Sequence, residues 1–220
     1  ILVFSVIFIL PKEPVKKELS DKHAGALLDN PDIIADVEKR QIMKFLYVSW
    51  IANFGSWFCV GIMRSLFPKL ATALGITPFI IGIIMFSMGL SQTAMFIILS
   101  KMHFWHYKLR PIIIFQAVTL VGLSVIVFAS HFICLAIAVF MIGCSFSLTY
   151  YASIFYSLWG HIDKGAKSGF HESMIGAGCL FGPLLGGICA RLFSLTAPYI
   201  LSIVLILAAI SIELYIMKRK

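Results

Sequence analysis

Acidic side chains are scarce in this chain, and their placement says as much as their number. Ten of the 220 residues are Asp or Glu, and seven of those ten lie between positions 11 and 41. No Asp occurs in any apolar stretch, which excludes an intramembrane aspartyl protease. No Cys-x-x-Cys pair occurs, and the cysteine count of five is odd. Cys59, Cys134, Cys144, Cys179 and Cys189 all fall inside apolar stretches, so they read as small packing residues and not as a disulfide frame or a zinc site. No phosphate-cradling G-x4-G-K-[ST] is present, so the chain itself is not an ATP-driven pump. His171-Glu172 opens like H-E-x-x-H, but Ile175 stands where the second His is required. His103 and His106 have no third ligand nearby and read as loop residues. Gly143-Cys144-Ser145 imitates the nucleophile of a rhomboid-type serine protease. That chemistry needs a His base, expected in the last apolar stretch, and no His is there.

What the chain has in abundance is apolar length. Sixty per cent of residues are hydrophobic and the mean hydropathy is +0.96, outside the range of an ordinary water-soluble domain. Six stretches predict transmembrane helices: Ile42–Phe67, Pro78–Ser100, Ile112–Ala129, Phe132–Leu158, Ser168–Ala190 and Ala197–Met217. Each has the roughly 20 residues that a helix needs to cross a bilayer. Helices satisfy their own backbone hydrogen bonds, so they persist where water is absent.

Threading the chain in and out sorts the charge. Fifteen of the eighteen Lys and Arg residues fall on one side: Lys12, Lys16, Lys17, Lys22, Lys39, Arg40, Lys44, Lys101, Lys108, Arg110, Lys164, Lys167, Lys218, Arg219 and Lys220. Arg64, Lys69 and Arg191 fall on the other. Cytoplasmic loops carry this excess, so the basic side is expected to be cytoplasmic. Tyr47, Trp50, Tyr156, Trp159 and Tyr215 lie near the basic ends of the spans, where amphipathic rings prefer the interface. The net charge of +8 is spread over loops, not one soluble face, which argues for anionic lipid and against nucleic acid as its counterpart.

Residues 1–10 are apolar but cover only about half a bilayer. They lack the basic start and cleavage site of a signal peptide and read as the end of a truncated transmembrane helix. Residues 11–41 form a charged cytoplasmic linker. Within it Asn30-Pro31 looks like a helix start, and Ile33, Ile34 and Val37 share a face, so a short amphipathic helix and a disordered linker are both open.

The fifth span carries Gly169, Gly178, Gly182, Pro183, Gly186 and Gly187. Gly178, Gly182 and Gly186 recur every four residues and line one face, which lets another helix approach closely. Pro183 removes one ladder hydrogen bond and is expected to bend the helix. This pattern resembles the glycine-rich motif of the major facilitator superfamily of secondary transporters. Arg64-Ser65-Leu66-Phe67-Pro68-Lys69-Leu70-Ala71, followed by Leu74-Gly75 and Ile81-Gly82, resembles the outer turn between the first two helices of one half of that family. The loop Ser100–Arg110 keeps basic residues but lacks the acid and glycines of a first half. The resemblance therefore implies the second half, helices seven to twelve of a twelve-helix fold.

It also implies a solute site near the bilayer midplane, between repeats. Mid-depth polar residues are then the candidates: Asn53 and Trp57 in the first span, with Ser49 and Ser56 on the Asn53 stripe; Gln92 in the second; Ser147 and Tyr150 in the fourth, on one face with Gly143. Ser145 and Thr149 lie on the neighbouring face. Interhelical hydrogen bonding is the alternative role for each Ser and Thr, worth about 0.6 kcal/mol apiece. Glu172, near the start of the fifth span, is expected to pair with Lys164 or Lys167, with a gating or proton-relay role as the other possibility. Glu213 is expected to reach out toward Lys218 as a snorkelling ion pair. Arg64 and Arg191 read as anchors at the outer interface.

The expectation is an all-α, six-helix membrane bundle over 42–217 with a basic tail at 218–220, in the cell's inner or plasma membrane. Its expected role is gradient-driven transport of a small solute by alternating access. Its expected partners are that solute, membrane lipid and an N-terminal six-helix half of the same protein; no enzyme activity, cofactor, metal or nucleic acid is expected. Export of amphipathic compounds by antiport, and a non-transporting receptor or assembly subunit, are the alternatives.

Overall fold

The computed structural model describes residues 31–102, 104–159 and 164–218, and of 31–38 the backbone alone. The expected truncated helix at 1–10, most of the linker, the side chains of Ile33, Ile34 and Val37, His103 and the last two tail residues lie outside the described residues.

Six helices follow in order: α1 (Pro31–Ala73), α2 (Pro78–Lys101), α3 (Leu109–Phe128), α4 (Phe132–Leu158), α5 (Lys164–Leu192) and α6 (Ala197–Lys218). No strand occurs among the described residues. Each helix contains a stretch long and apolar enough to cross a bilayer, which is the architecture of an integral membrane protein. α4 has the bounds that hydropathy predicts. Most of the others run past theirs, because a helix keeps its hydrogen-bond ladder after the side chains turn polar. α5 begins four residues before the apolar stretch, at Lys164, and α1 begins at Pro31 and enters its span without a break.

The largest such correction concerns Arg64–Ala71. Sequence places a turn there, but the stretch is helical and α1 continues through Pro68 to Ala73. Pro68 gives up the ladder bond to the Arg64 carbonyl, and the helix continues for five residues past it. The turn comes after it. Ile76 N donates to Ala71 O and Gly75 N to Thr72 O, both at 3.0 Å, with Gly75 at φ +77°. Those paired bonds satisfy the last carbonyls, and the left-handed backbone favours glycine. Thr77-Pro78 then opens α2 with proline in the first turn.

α1 and α4 form the buried centre. α1 packs on α5, α4 and α6; α4 packs on α2 and α3; α3 also meets α6. One apolar cluster joins Phe58, Ile62, Met63, Phe67, Ile84, Ile142 and Tyr199. A second, toward the basic end, joins Phe45, Leu46, Leu99, Trp105, Tyr151, Phe155 and Tyr156.

Glycine sets the α1–α5 spacing. Gly178 and Gly182 lie against the backbone of Trp57 and Phe58, and Gly186 lies against Ile62 and Leu66. Gly61 answers from α1: a Cβ there would stand 2.8 Å from Pro183 Cδ. Small residues on both helices thus bring two backbones together, the main source of helix attraction in lipid. Gly169 and Gly187 take no part, having nothing within 4 Å of a notional Cβ. Gly143 belongs to another seam, with its face against Met88 and Ser91 of α2.

Candidate functional site

The most concentrated polar chemistry in the interior lies where α1, α4 and α5 meet. Asn53 stands nine residues after Lys44 and eleven before Arg64, so it is near the middle of the span. It is fully buried. Its amide nitrogen lies 3.5 Å from Nδ1 of His171, which is also fully buried. Ser153 of α4 brings its hydroxyl to 2.7 Å from the same Nδ1. This arrangement is satisfied when Ser153 and Asn53 donate to an unprotonated Nδ1, which places the ring proton on Nε2. Among the described residues Nε2 has no hydrogen-bond partner, and neither does Asn53 Oδ1. Buried polar groups are otherwise nearly always paired, so two orphans in one cluster call for an explanation.

Aromatic rings surround the cluster. Tyr150 meets the His171 ring edge-on at 5.1 Å, Trp57 at 6.1 Å and Phe96 at 5.5 Å. Arg64 places its guanidinium 5.6 Å above the Trp57 ring, which adds a cation–π contact on the side away from the basic end. Toward the basic end, Trp50 packs on Phe170 at 4.3 Å and donates its indole N–H to Ser157 at 2.9 Å. Glu172, next in chain to His171, is 64% exposed and keeps Oε1 3.9 Å from His171 Nε2. That is too long for a hydrogen bond, and the ring in the tautomer above carries no charge to pair with it.

Of the residues singled out from sequence, the fold brings Asn53, Trp57 and Tyr150 together around His171. Gln92 and Ser147 lie a turn away, before Phe96 on α2 and Tyr150 on α4. Those two meet at the α2–α4 seam, where Ser147 donates to the carbonyls of Gln92 (3.1 Å) and Gly143 (3.2 Å). Ser49 returns its hydroxyl to Leu46 O, Ser145 to Met141 O, and Ser56 takes a hydrogen bond from Thr149 at 2.8 Å. These four do the interhelical or backbone bonding expected of small polar residues in lipid.

Two carboxylates depart from expectation. Glu172 is not in the first turn of α5 but in its third, because the helix starts at Lys164; among the described residues its close polar neighbour is the His171 ring, not a lysine. Glu213 does not reach out toward Lys218. It is fully buried and accepts a hydrogen bond from Gln116 Nε2 at 2.7 Å. The phase of α6 explains this: Tyr199, Ser202, Ile206, Ala209 and Glu213 form one buried stripe at spacings of three and four.

Sequence reasoning also passed over His171 and the 104–108 loop. An ionisable residue in a span is a site candidate by default, and that signal was available for His171. In the loop, Trp105 and His106 are buried, with His106 on Phe155 at 4.6 Å and Tyr107 N bonded to Tyr156 OH at 2.7 Å. Tyr107 has φ 52°, a left-handed conformation held by those contacts. No protein-family model matches the chain, and no curated protein matches it either.

Proposed function

We propose that this bundle is one half of a secondary active transporter of the major facilitator type and that the Asn53–His171 cluster forms part of its solute site. The observation that carries this reading is the pair of unpartnered atoms, Asn53 Oδ1 and His171 Nε2–H, one acceptor and one donor. Leaving such groups dry costs about 1–3 kcal/mol each, a cost that a bound polar solute would remove. The rings of Trp57, Phe96 and Tyr150 would supply apolar contact beside them. Both orphan atoms are sealed from solvent here, so a solute would reach them only when α5 moves relative to α1 and α4. That is the demand of alternating access about a midplane site. The glycine seam suits such movement, since two smooth helix faces can shift with little side-chain interlock. Exposed Glu172 beside the His171 ring is placed to bias the motion through its charge.

The test is solute uptake by the complete protein carrying N53A, H171A or Y150A. The expected result is a loss of about tenfold or more in uptake at unchanged membrane abundance, the cost of one buried hydrogen bond. Unaltered transport kinetics in all three would refute the assignment. A reconstituted protein that moves no solute at all would favour a receptor or assembly subunit instead.

A further inference from the structure

Glu213 and Gln116 lie away from the cluster above, on α6 and α3, and the transport reading does not use them. Both are buried: Glu213 is 0% and Gln116 4% exposed. Their one hydrogen bond runs from Gln116 Nε2 to Glu213 Oε1 at 2.7 Å. The two remaining oxygens, Gln116 Oε1 and Glu213 Oε2, have no hydrogen-bond partner among the described residues. If Glu213 is a carboxylate, both of these are acceptors, and no described residue at the seam donates to either. A negative charge would also be buried one turn from Ile112 and Ile216, which belong with Val48, Ala52 and Leu109 to the apolar cluster at this corner of the bundle. A single proton on Oε2 changes all of this. It neutralises the carboxyl and turns Oε2 into a donor, and Gln116 Oε1, on the amide already bonded to this carboxyl, is the acceptor such a donor needs. Acid and amide then close a two-bond ring, each donating once and accepting once.

We propose that Glu213 and Gln116 are a proton-binding site, a neutral acid–amide pair that clasps α3 to α6 in this conformation. Releasing the proton leaves one buried charge and one unpaired amide oxygen, so the seam must admit water or part. Toward the basic ends of the packed helices the charged groups are Lys39, Arg40 and Lys44 of α1, Arg110 of α3, Lys164, Lys167 and Glu172 of α5, and Lys218 of α6, none of them fully buried. Among the described residues the polar side chain bonded to Glu213 is that of Gln116. A small cation is the other occupant that two free oxygens could hold. It would need several more ligands, whereas the proton needs only the two atoms present.

The test is infrared spectroscopy of the purified full protein in lipid at neutral pH. A protonated-carboxyl absorption is expected in the wild type and is expected to vanish in E213Q. Gln at 213 keeps one donor and one acceptor, so E213Q should melt within about 2 °C of wild type, while Q116L, which cannot pair, should melt about 5 °C lower. If E213Q fails to accumulate, E213D makes the assignment by moving the band instead of removing it. Absence of any protonated-carboxyl band in the wild type overturns the proposal. So does a band that E213Q and E213D leave unchanged. A melting temperature that climbs with sodium at fixed pH assigns the pocket to a metal cation and overturns it as well.

Discussion

Single side chains decide more here than their neighbours in sequence suggest. His171 is the clearest instance: beside Glu172 it imitates a metal motif that fails at Ile175, yet the fold turns it inward onto Asn53 and Ser153. Asn53, Trp57 and Tyr150 were legible as mid-depth polar or amphipathic residues. Their meeting point was not, because it depends on the rotation of α5 about its axis. Glu213 was misread for a related reason. Its distance along α6 from Lys218 suggested the interface, but its phase on the buried stripe takes precedence over its depth. Trp105 shows the same lesson in a loop. The 101–110 stretch reads as a basic loop, while the Trp105 ring is 1% exposed and meets Tyr151 and Phe155 edge-on at 5.4 and 5.1 Å. Trp105→Ala is expected to lower stability by about 3 kcal/mol, seen as a fall in melting temperature of the purified protein. A change under 0.5 kcal/mol would mean that the loop does not hold the basic end together.

At the scale of elements, hydropathy located all six helices and fixed α4 to the residue, since its apolar run ends where its helix ends. It shortened α1 and α5, whose ladders continue through charged or proline-bearing segments. The glycine face of α5 was legible from its four-residue repeat. Its partner, the stretch Trp57–Leu66 of α1 with Gly61 at its centre, was not, since nothing in a single sequence names the opposite helix. The seam makes a two-sided expectation. Gly182→Val places a Cβ against the Phe58 carbonyl, and it is expected to cost about 2 kcal/mol or more, or to prevent accumulation in the membrane. Gly187→Ala meets open space, and it is expected to be neutral or to gain up to about 1 kcal/mol from helix propensity. Equal effects of the two would remove the seam as the contact that sets α1–α5 spacing.

For the molecule as a whole, the distribution of Lys and Arg predicts an orientation that labelling from the two sides of the membrane can check. In a background without the five native cysteines, Lys69→Cys and Arg110→Cys are expected to react with a membrane-impermeant maleimide from opposite sides. Reaction of both from one side would reject the threading. The length of α1 adds a mechanical point. Its 43 residues make a rod of about 65 Å, while the hydrocarbon layer is about 30 Å thick. Some 35 Å of it must therefore stand outside that layer, shared between its two ends. A rigid shaft pivoting in the bilayer amplifies: a tilt of about 10° would sweep a 20 Å overhang through roughly 3.5 Å. Small rearrangements at mid-membrane would thus be broadcast as readable displacements in the water beyond, where a spin label or a fluorophore could follow them.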